Sequence, residues 1–158
     1  MGPVPVLLEP ADRELVARAR RAVLGTIGPT GRPRLVPVCF WLAEEPDEAG
    51  RPLVYTPLDE KPKASPDPST LARVRDIQVR PAVSLLIDRW EEDWTGLAWL
   101  RLDGQAALIG SEAAESAAAA AARAGLRQRY RQYREQALED RPLIRIAVER
   151  IARWSASS

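Results

Sequence analysis

The chain has 158 residues, the length of a single domain, and this is enough to bury a sizeable hydrophobic core. Its 23 lysines and arginines nearly balance its 22 aspartates and glutamates, so the net charge gives no reason to expect nucleic acid or an anionic membrane as a partner. The chain has no histidine, which excludes histidine triads, histidine general bases and histidine metal ligands, and we expect no metal site.

Cysteine usage and hydropathy bear on the cellular compartment. Cys39 is the only cysteine, so no internal disulfide bond can form, and its apolar neighbours predict a buried small hydrophobe. The N-terminus has no apolar signal core, and no apolar run is long enough to cross a bilayer. We therefore expect a cytoplasmic protein without a membrane partner.

The N-terminal part predicts an arm, a helix and a hairpin. Residues 1–8 are proline-rich and are expected to form a loosely held arm. Apolar residues at helical spacing predict a first helix over residues 9–23. A strand over residues 24–27, a glycine- and proline-rich turn at residues 28–31 and a strand over residues 34–41 predict a β-hairpin.

Pro37 interrupts the second of these strands. Because proline has no N–H to donate to a strand ladder, it marks an edge strand, a bulge or a place where another group approaches the backbone. An acidic, turn-rich stretch over residues 43–52 predicts a surface loop, and residues 53–56 predict a further strand.

A loop over residues 61–69 follows that strand and presents Lys61 and Lys63. Two lysines just past a strand end either hold an anion such as phosphate or are solvated loop charges, and the local pattern alone favours the second interpretation. A helix is predicted over residues 68–79. The nearly continuous apolar run at residues 83–89 predicts a strand buried on both faces.

Two tryptophans flank an acidic loop after this strand. Trp90 and Trp94 either line a ligand pocket or anchor the loop by packing, and we favour packing. Residues 97–109 are strand-rich. Within them Asp103 precedes Gly104, the dipeptide with the strongest hairpin propensity in the chain.

The C-terminal part predicts two helices and a strand. An alanine-rich helix is expected to begin near Ser111 as its N-cap and to end at Gly125. Arginines and tyrosines alternate along a second predicted helix at residues 126–138, which suggests either a nucleic-acid interface or, as we favour, a solvated helix face. Residues 143–154 predict a last strand, and residues 155–158 a serine-rich tail.

Short segments along the chain resemble the split β-barrel flavin-binding superfamily of the pyridoxamine 5′-phosphate oxidases, and within it the branch that depends on the deazaflavin coenzyme F420. The segments, in order, are residues 31–40, Val54-Tyr55-Thr56, Lys61-Pro62-Lys63, residues 71–77, residues 83–88 and residues 93–104. The resemblance implies a mainly β split barrel with flanking helices, as one domain over residues 1–158 with a helical insertion at residues 111–138. It also implies one long strand with a bend or bulge at Asp103-Gly104 instead of a hairpin.

The resemblance implies which residues face the cofactor ring. The backbone of Val36, Pro37 and Val38 would contact the polar edge of the ring, which needs fixed hydrogen-bonding partners. Trp99 stands where the oxidases usually have a glutamine that touches the flavin. This departure argues against the oxidase activity and for a larger flat surface near the ring.

The resemblance also implies a phosphate site and a site for an acidic tail. Tyr55 and Thr56 match a pair that contacts the ring and the phosphate, and Lys61-Pro62-Lys63 matches the basic phosphate-binding pair. Arg73 and Arg75 are expected to reach the acidic tail of coenzyme F420, a tail that FMN lacks.

By resemblance, the expected activity is a coenzyme F420-dependent reduction of an electron-poor small molecule, with the cofactor at a homodimer interface. We assign no catalytic side chain, because the cofactor supplies the hydride and solvent or a bound hydroxyl supplies the proton. The alternatives are an FMN-dependent oxidoreductase and a flavin- or deazaflavin-binding protein without turnover. The sequence does not identify the electron acceptor.

Overall fold

The chain folds around one antiparallel β-sheet, seen in a computed structural model that describes residues 6–58, 68–110 and 116–157. Within these residues seven strands and three α-helices are formed, which confirms the predicted mainly β class with flanking helices. The strands are β1 Ala22–Ile27, β2 Pro33–Val38, β3 Trp41–Leu42, β4 Leu53–Pro57, β5 Ala82–Arg89, β6 Ala98–Ile109 and β7 Leu143–Ser155. The helices are α1 Pro10–Arg18, α2 Pro68–Val79 and α3 Ser116–Arg129.

The sheet has the strand order β2–β1–β5–β6–β7–β4–β3 and curls into a half-barrel. Its two edge strands are neighbours in sequence, because only Cys39 and Phe40 separate β2 from β3. The prediction of one continuous strand over residues 34–41 is therefore wrong: the chain leaves one edge of the sheet and joins the other. Phe40 is fully buried at this crossing, so it fills the interior at the place where the two edges meet.

The predicted first hairpin is confirmed, with β1 and β2 paired in register over their whole length. Its turn is closed by hydrogen bonds from the Gly28 N–H to the Arg32 carbonyl and from the Gly31 N–H to the Gly28 carbonyl, both 2.9 Å. Gly31 has a φ of 82°, a conformation that side-chain-bearing residues rarely adopt. The turn therefore depends on the glycine.

β6 is one long strand with a bulge between Asp103 and Gly104, so the implied bulge is confirmed and the local hairpin signal is overridden. A Cβ on Gly104 would lie 2.2 Å from the Ala147 carbonyl oxygen of β7. The glycine thus allows two backbones to approach more closely than any side chain would permit. Pairing with the thirteen-residue β7 then outweighs the turn propensity of the dipeptide.

The main core lies on the concave side of the sheet, which we call the inner face. It is built from aliphatic side chains that alternate along the strands and have no exposed surface: Leu24, Leu85, Ile87, Leu100, Leu102, Ile144, Ile146 and Val148. The prediction that β5 is buried on both faces is wrong for this chain, because exposed and buried residues alternate along it and Leu86 is 38% exposed.

α1 is shorter than predicted, since Ala22 and Val23 belong to β1. It begins at a capping box in which the Glu9 N–H donates to the Asp12 carboxylate at 2.8 Å. The same carboxylate accepts hydrogen bonds from the Arg153 guanidinium of β7 at 2.9 and 3.1 Å, which ties the helix to the sheet. α2 has the predicted bounds.

α3 continues through Gly125, so the predicted helix break is wrong. A Cβ on Gly125 would lie 2.2 Å from the indole ring of Trp41, and the glycine is there to admit that ring. The predicted second helix at residues 126–138 is also wrong: two short 3-10 turns, Arg131–Glu135 and Leu138–Asp140, replace it. The predicted N-cap Ser111 lies outside the described residues.

The arginine- and tyrosine-rich segment is used inside the fold. Tyr130 and Tyr133 are buried, and Arg129 stacks on the Phe40 ring while it donates to the carbonyls of Val16 and Ala19 at the end of α1. Arg127 forms an ion pair with Glu139. The pKa of Glu139 falls to about 2, chiefly because of this hydrogen bond. Arg127, Arg129, Tyr130 and Tyr133 therefore have structural roles, and the prediction of a solvated helix face is wrong for them.

Candidate functional site

The convex side of the sheet, which we call the outer face, carries most of the residues left without a structural role. Strand pairing aligns them in three rows across β2, β1, β5, β6 and β7. A polar row contains Leu35, Gly25, Ser84, Asp103 and Arg150; a middle row contains Pro37, Val23, Leu86, Arg101 and Ala152; an aromatic row contains Asp88, Trp99 and Trp154.

Two cavities open on this face and together form what we call the outer groove. The polar cavity has a volume of about 660 Å³ and includes Asp103 and Arg150 in its lining. The aromatic cavity has a volume of about 480 Å³ and includes Trp99. Gly25, Leu35, Ser84 and Arg101 line both cavities. A flat ligand of cofactor size, or two smaller ones, would fit a groove of this volume.

Gly25 forms part of the floor of the groove. Glycine in a strand interior weakens the strand and is typical of a place where another group approaches the backbone closely. A Cβ at this position would lie 3.3 Å from Leu35 Cδ2 and 3.6 Å from the Ser84 carbonyl oxygen. The missing side chain therefore deepens the groove where its two cavities meet.

Asp103 is the centre of a hydrogen-bonded network at the polar end. Its Oδ1 accepts from Ser84 Oγ at 2.7 Å and from Arg101 Nε at 3.1 Å, and Arg150 Nε lies 3.6 Å from its Oδ2. Burial raises the pKa of Asp103, but the hydrogen bonds from Ser84 and Arg101 and the charges of the two arginines outweigh burial and lower this pKa. Asp103 is therefore a carboxylate near neutral pH.

The aromatic end is unusually exposed. Trp90 is 75% exposed, Trp94 71% and Trp154 47%, and the neighbouring Leu35 is 73% exposed. The preference for Trp90 and Trp94 as packing anchors is therefore wrong within this chain. Leu35, Trp90 and Trp154 line the same cavity, and exposed apolar residues that cluster in this way mark a ligand or partner surface.

β2 offers a free backbone edge beside the groove. Pro33 and Pro37 cannot donate to β1, so they occupy the non-hydrogen-bonded positions of the antiparallel ladder, and Leu35 between them has the same parity. The Leu35 N–H and C=O and the Pro37 C=O thus point away from β1. Val36 and Val38 use their polar backbone groups in the ladder.

The residues predicted to bind the cofactor do not all lie together. Pro37 and Trp99 lie on the outer face, and Trp99 lines the aromatic cavity. Val36 and Val38 turn their side chains toward the core. Tyr55 and Thr56 are buried, and the Thr56 hydroxyl has no hydrogen-bond partner among the described residues. Lys61 and Lys63 lie outside the described residues.

The two arginines predicted to bind the cofactor tail, Arg73 and Arg75 of α2, lie in different environments. Arg73 is buried, whereas Arg75 is exposed and lines a third cavity of about 410 Å³ with Arg34 and Arg80. Asp76, which lines this cavity, is buried. Its carboxylate accepts a hydrogen bond from Thr26 Oγ1 and forms an ion pair with Arg34 Nε, both at 2.9 Å. Three guanidinium groups around one carboxylate leave a surplus of positive charge, which suits an acidic group.

Leu35, Gly25, Ser84 and Arg101 were missed by reasoning from the sequence. The one available signal was Gly25 inside an apolar strand, because strand glycines often mark a close approach. The other residues became visible only when the strand register aligned β1, β2, β5 and β6.

The curled antiparallel sheet with its flanking helices defines a split β-barrel of the flavin-binding type. The chain belongs to the pyridoxamine 5′-phosphate oxidase family, which it matches over residues 8–155. No curated protein sequence matches it. Solved structures share the fold at low sequence identity.

A conserved hypothetical protein from Mycobacterium tuberculosis is 18% identical with a TM-score of 0.67, covering 99% of this chain and 90% of that chain. An FAD-binding protein from Mesorhizobium loti is 16% identical with a TM-score of 0.64, covering 92% and 94%. HutZ, a heme storage protein from Vibrio cholerae, is 19% identical with a TM-score of 0.62, covering 95% of both chains. Similarity at these identities shows the fold alone.

The described residues contain neither a helix suited to a membrane nor a cluster suited to a metal ion. None of their helices has the length and apolar character needed to span a membrane. No group of three or more potential metal-ligating side chains comes together among them.

Proposed function

We propose that this protein is a coenzyme F420-dependent oxidoreductase that reduces an electron-poor small molecule. The observation that supports this most is the outer groove, with its glycine floor and a tryptophan at the position where the oxidases usually carry glutamine. When bound, the deazaflavin supplies a hydride from its C5. The protein then has to bind, orient and shield the reactants.

The residues that would hold the ring lie on β2 and at the junction of the two cavities. The Leu35 N–H and C=O offer a neighbouring donor and acceptor, which complements an adjacent carbonyl and ring N–H on the polar edge of a flavin-type ring, and the Pro37 carbonyl adds a second acceptor further along the strand. Gly25 allows the ring to lie close to the sheet. Tyr55 and Thr56 are buried, so we place the ring contact on Leu35 instead of on them.

The acidic tail of the cofactor would be held by positive charge beyond the ring. The cavity lined by Arg34, Arg75 and Arg80 supports a tail site there, and it suits the carboxylates of coenzyme F420 better than FMN, which ends at its phosphate. Lys61 and Lys63 remain our prediction for the phosphate. Arg73 is buried and is not part of this proposal.

We also propose that the functional unit is a cytoplasmic homodimer in which the outer faces of two copies meet. Leu35, Trp90 and Trp154 are exposed around one cavity and form a larger apolar surface than scattered single residues would, which supports burial against a second copy. Such a contact would turn the open groove into an enclosed cavity and exclude water from hydride transfer. Sedimentation equilibrium at increasing protein concentration tests this, and a monomer throughout would contradict it.

FMN is the alternative cofactor, and membership of the oxidase family together with the FAD-binding structural neighbour favours it. A binding protein without turnover also remains an alternative, because the groove contains no assigned acid or base. Heme binding, suggested by the heme storage neighbour, is not favoured for this chain. The chain has no histidine, and its three tyrosines are buried, so these usual heme ligands are missing or inaccessible.

The deciding experiment is a parallel titration of the purified protein with coenzyme F420 and with FMN, followed by absorbance and fluorescence. The same titrations use the Lys61→Ala/Lys63→Ala variant, with Arg131→Ala on an exposed turn as the control. We expect F420 to bind at low micromolar concentration or below, on the order of tenfold or more tighter than FMN, and the double variant to lose it. Tighter binding of FMN than of F420 would indicate an FMN-dependent protein. If neither cofactor binds, the chain shares the fold of the family but not its cofactor binding.

Turnover is tested separately. The protein with reduced coenzyme F420 is assayed against a panel of enones and quinones. Oxidation of the cofactor that depends on the acceptor supports an enzyme, whereas tight cofactor binding without turnover on any acceptor would favour the binding-protein alternative.

A further inference from the structure

We propose that Arg101 holds the electron-withdrawing oxygen of the acceptor, and that the aromatic cavity takes a neutral, flat, conjugated carbonyl compound. The reductive role of this site rests on the proposed function, because a bound deazaflavin or flavin has to supply the hydride. Binding of the acceptor does not require the cofactor, so the two proposals can be tested independently.

The walls of the aromatic cavity suit a flat molecule. Trp99 and Trp154 lie directly opposite each other on β6 and β7, and Trp90 and Leu86 extend the same wall. Aromatic faces prefer offset or edge contacts with other π-systems, and a volume of about 480 Å³ is within the range of small-ligand sites. Within one chain Trp90 and Trp154 are exposed, so no other described residue of the same chain covers these faces.

The charges at the cavity favour a neutral ligand with a polar oxygen. Among the described residues that line it, Asp88 and Arg101 are the charged ones, and they lie on neighbouring rows of the outer face. An anionic ligand on the tryptophans would be repelled by the Asp88 carboxylate. A neutral carbonyl avoids that cost and still accepts hydrogen bonds from a guanidinium.

Arg101 is held in place without using all of its donors. Its Nε donates to Asp103 Oδ1 at 3.1 Å, and this side chain forms no other hydrogen bond or ion pair within the described part of the chain. Asp103 is fixed in turn by the Ser84 hydroxyl at 2.7 Å. The Nη groups of an oriented guanidinium therefore remain available at the junction of the two cavities, which Arg101 lines from both sides.

This position matches where charge develops during the reduction. A bound reduced deazaflavin would supply the hydride from C5 with loss of that C–H bond, and a new C–H bond would form at the carbon β to the acceptor carbonyl. The π-electrons of the acceptor move to its oxygen, which becomes an enolate and takes a proton from solvent, while the cofactor is oxidised by two electrons. A guanidinium beside that oxygen stabilises the developing negative charge.

The test compares two flat ligands with the same carbon skeleton, of which only one carries carbonyl oxygens. Cofactor-free protein is titrated by calorimetry with 2,3-dimethyl-1,4-naphthoquinone and with 2,3-dimethylnaphthalene; the methyl groups of the quinone block addition of the Cys39 thiol. We expect Arg101→Met to weaken quinone binding on the order of tenfold and to change hydrocarbon binding less than about twofold. Arg101→Lys should retain part of the quinone affinity, and Arg131→Met is the matched control at a distant exposed arginine.

Several results would overturn the proposal. If Arg101→Met weakens the binding of both ligands equally, Arg101 only lines the cavity and does not recognise the carbonyl oxygen. If the wild-type protein does not bind the quinone, the proposed acceptor site is wrong. Quinone affinity that falls as the protein concentration rises would show that a second copy of the chain occupies the cavity instead. Circular dichroism establishes that each variant is folded, and Arg101→Lys gives an independent variant if Arg101→Met is not.

A second measurement separates this inference from the proposed function. In the cofactor-loaded protein, Arg101→Met should lower kcat more than it raises KM, because the oxygen carries negative charge only as the hydride arrives. If the quinone binds through Arg101 but coenzyme F420 does not bind, the acceptor site stands and the proposed cofactor fails. If coenzyme F420 binds and the carbonyl makes no difference, the reverse holds.

Discussion

The two faces of the central strands use the same backbone for different purposes. On the inner face of β5 and β6, Leu85 and Leu100 have no exposed surface and pack into the main core. One residue further along the same strands, Leu86 and Arg101 lie on the outer face and line the groove. Since side chains alternate between the faces of a strand, a single stretch of sequence encodes both a core and a binding surface. The inner face therefore dominates stability, and the outer face is the surface to which we assign binding in the proposed function.

The largest expected difference between the faces is in stability. Leu100→Ala should lower the free energy of unfolding by about 2–5 kcal/mol, because it leaves a cavity in the packed core. Leu86→Ala on the outer face should cost less than about 1 kcal/mol, because its side chain is 38% exposed. Urea denaturation of both variants measures this, and a comparable loss for Leu86→Ala would contradict the assignment of the faces.

Two glycines provide the next comparison. Gly104→Ala places a Cβ 2.2 Å from a backbone oxygen, and we expect a loss of roughly 1–3 kcal/mol in the free energy of unfolding. Gly25→Ala meets the flexible end of Leu35 at 3.3 Å and should change stability by less than about 1 kcal/mol. It raises the floor of the groove, however, and should weaken cofactor binding. Unchanged cofactor affinity in folded Gly25→Ala protein would remove Gly25 from the site.

The smallest effect concerns the charge network of the outer face. The pKa of Asp103 is lower in the folded chain than its ordinary value, so its contribution to stability is present at neutral pH and is lost as the pH falls below about 4. Because the network is partly exposed, we expect a contribution of less than about 1 kcal/mol. Asp103→Asn should flatten the acid side of the stability curve, measured by urea denaturation at a series of pH values. An unchanged curve would show that the network has no influence on stability.

The sequence predicted the elements that depend on local pattern. The β1–β2 hairpin, α2 and the last strand follow from periodicity and turn residues within each segment, and the structure confirms them. The bulge at Asp103 and Gly104 came from the family resemblance, because the local signal favoured a hairpin. Arg127 and Arg129 suggested a charged surface by composition, but their ion pair and carbonyl contacts join parts of the chain distant in sequence.

Two errors show where local pattern is insufficient. Cys39 and Phe40 continue an apolar strand pattern, yet the barrel requires the chain to change edges there. Gly125 looked like a helix break, but it faces the Trp41 ring from the far edge of the sheet. In both cases a contact between segments distant in sequence outweighed the intrinsic preference of the residues.

The sequence by itself indicated a mainly β fold, which the structure confirms, and it contains no histidine that could take part in chemistry within this chain. It also contained the family resemblance, which named Pro37 and Trp99. Only the tertiary structure decided which residues share a surface: strand register brought Gly25, Ser84 and Arg101 into one groove and buried Tyr55. The physical reason is that register depends on pairing between strands that lie far apart in sequence, and a shift of one residue exchanges the two faces of a strand.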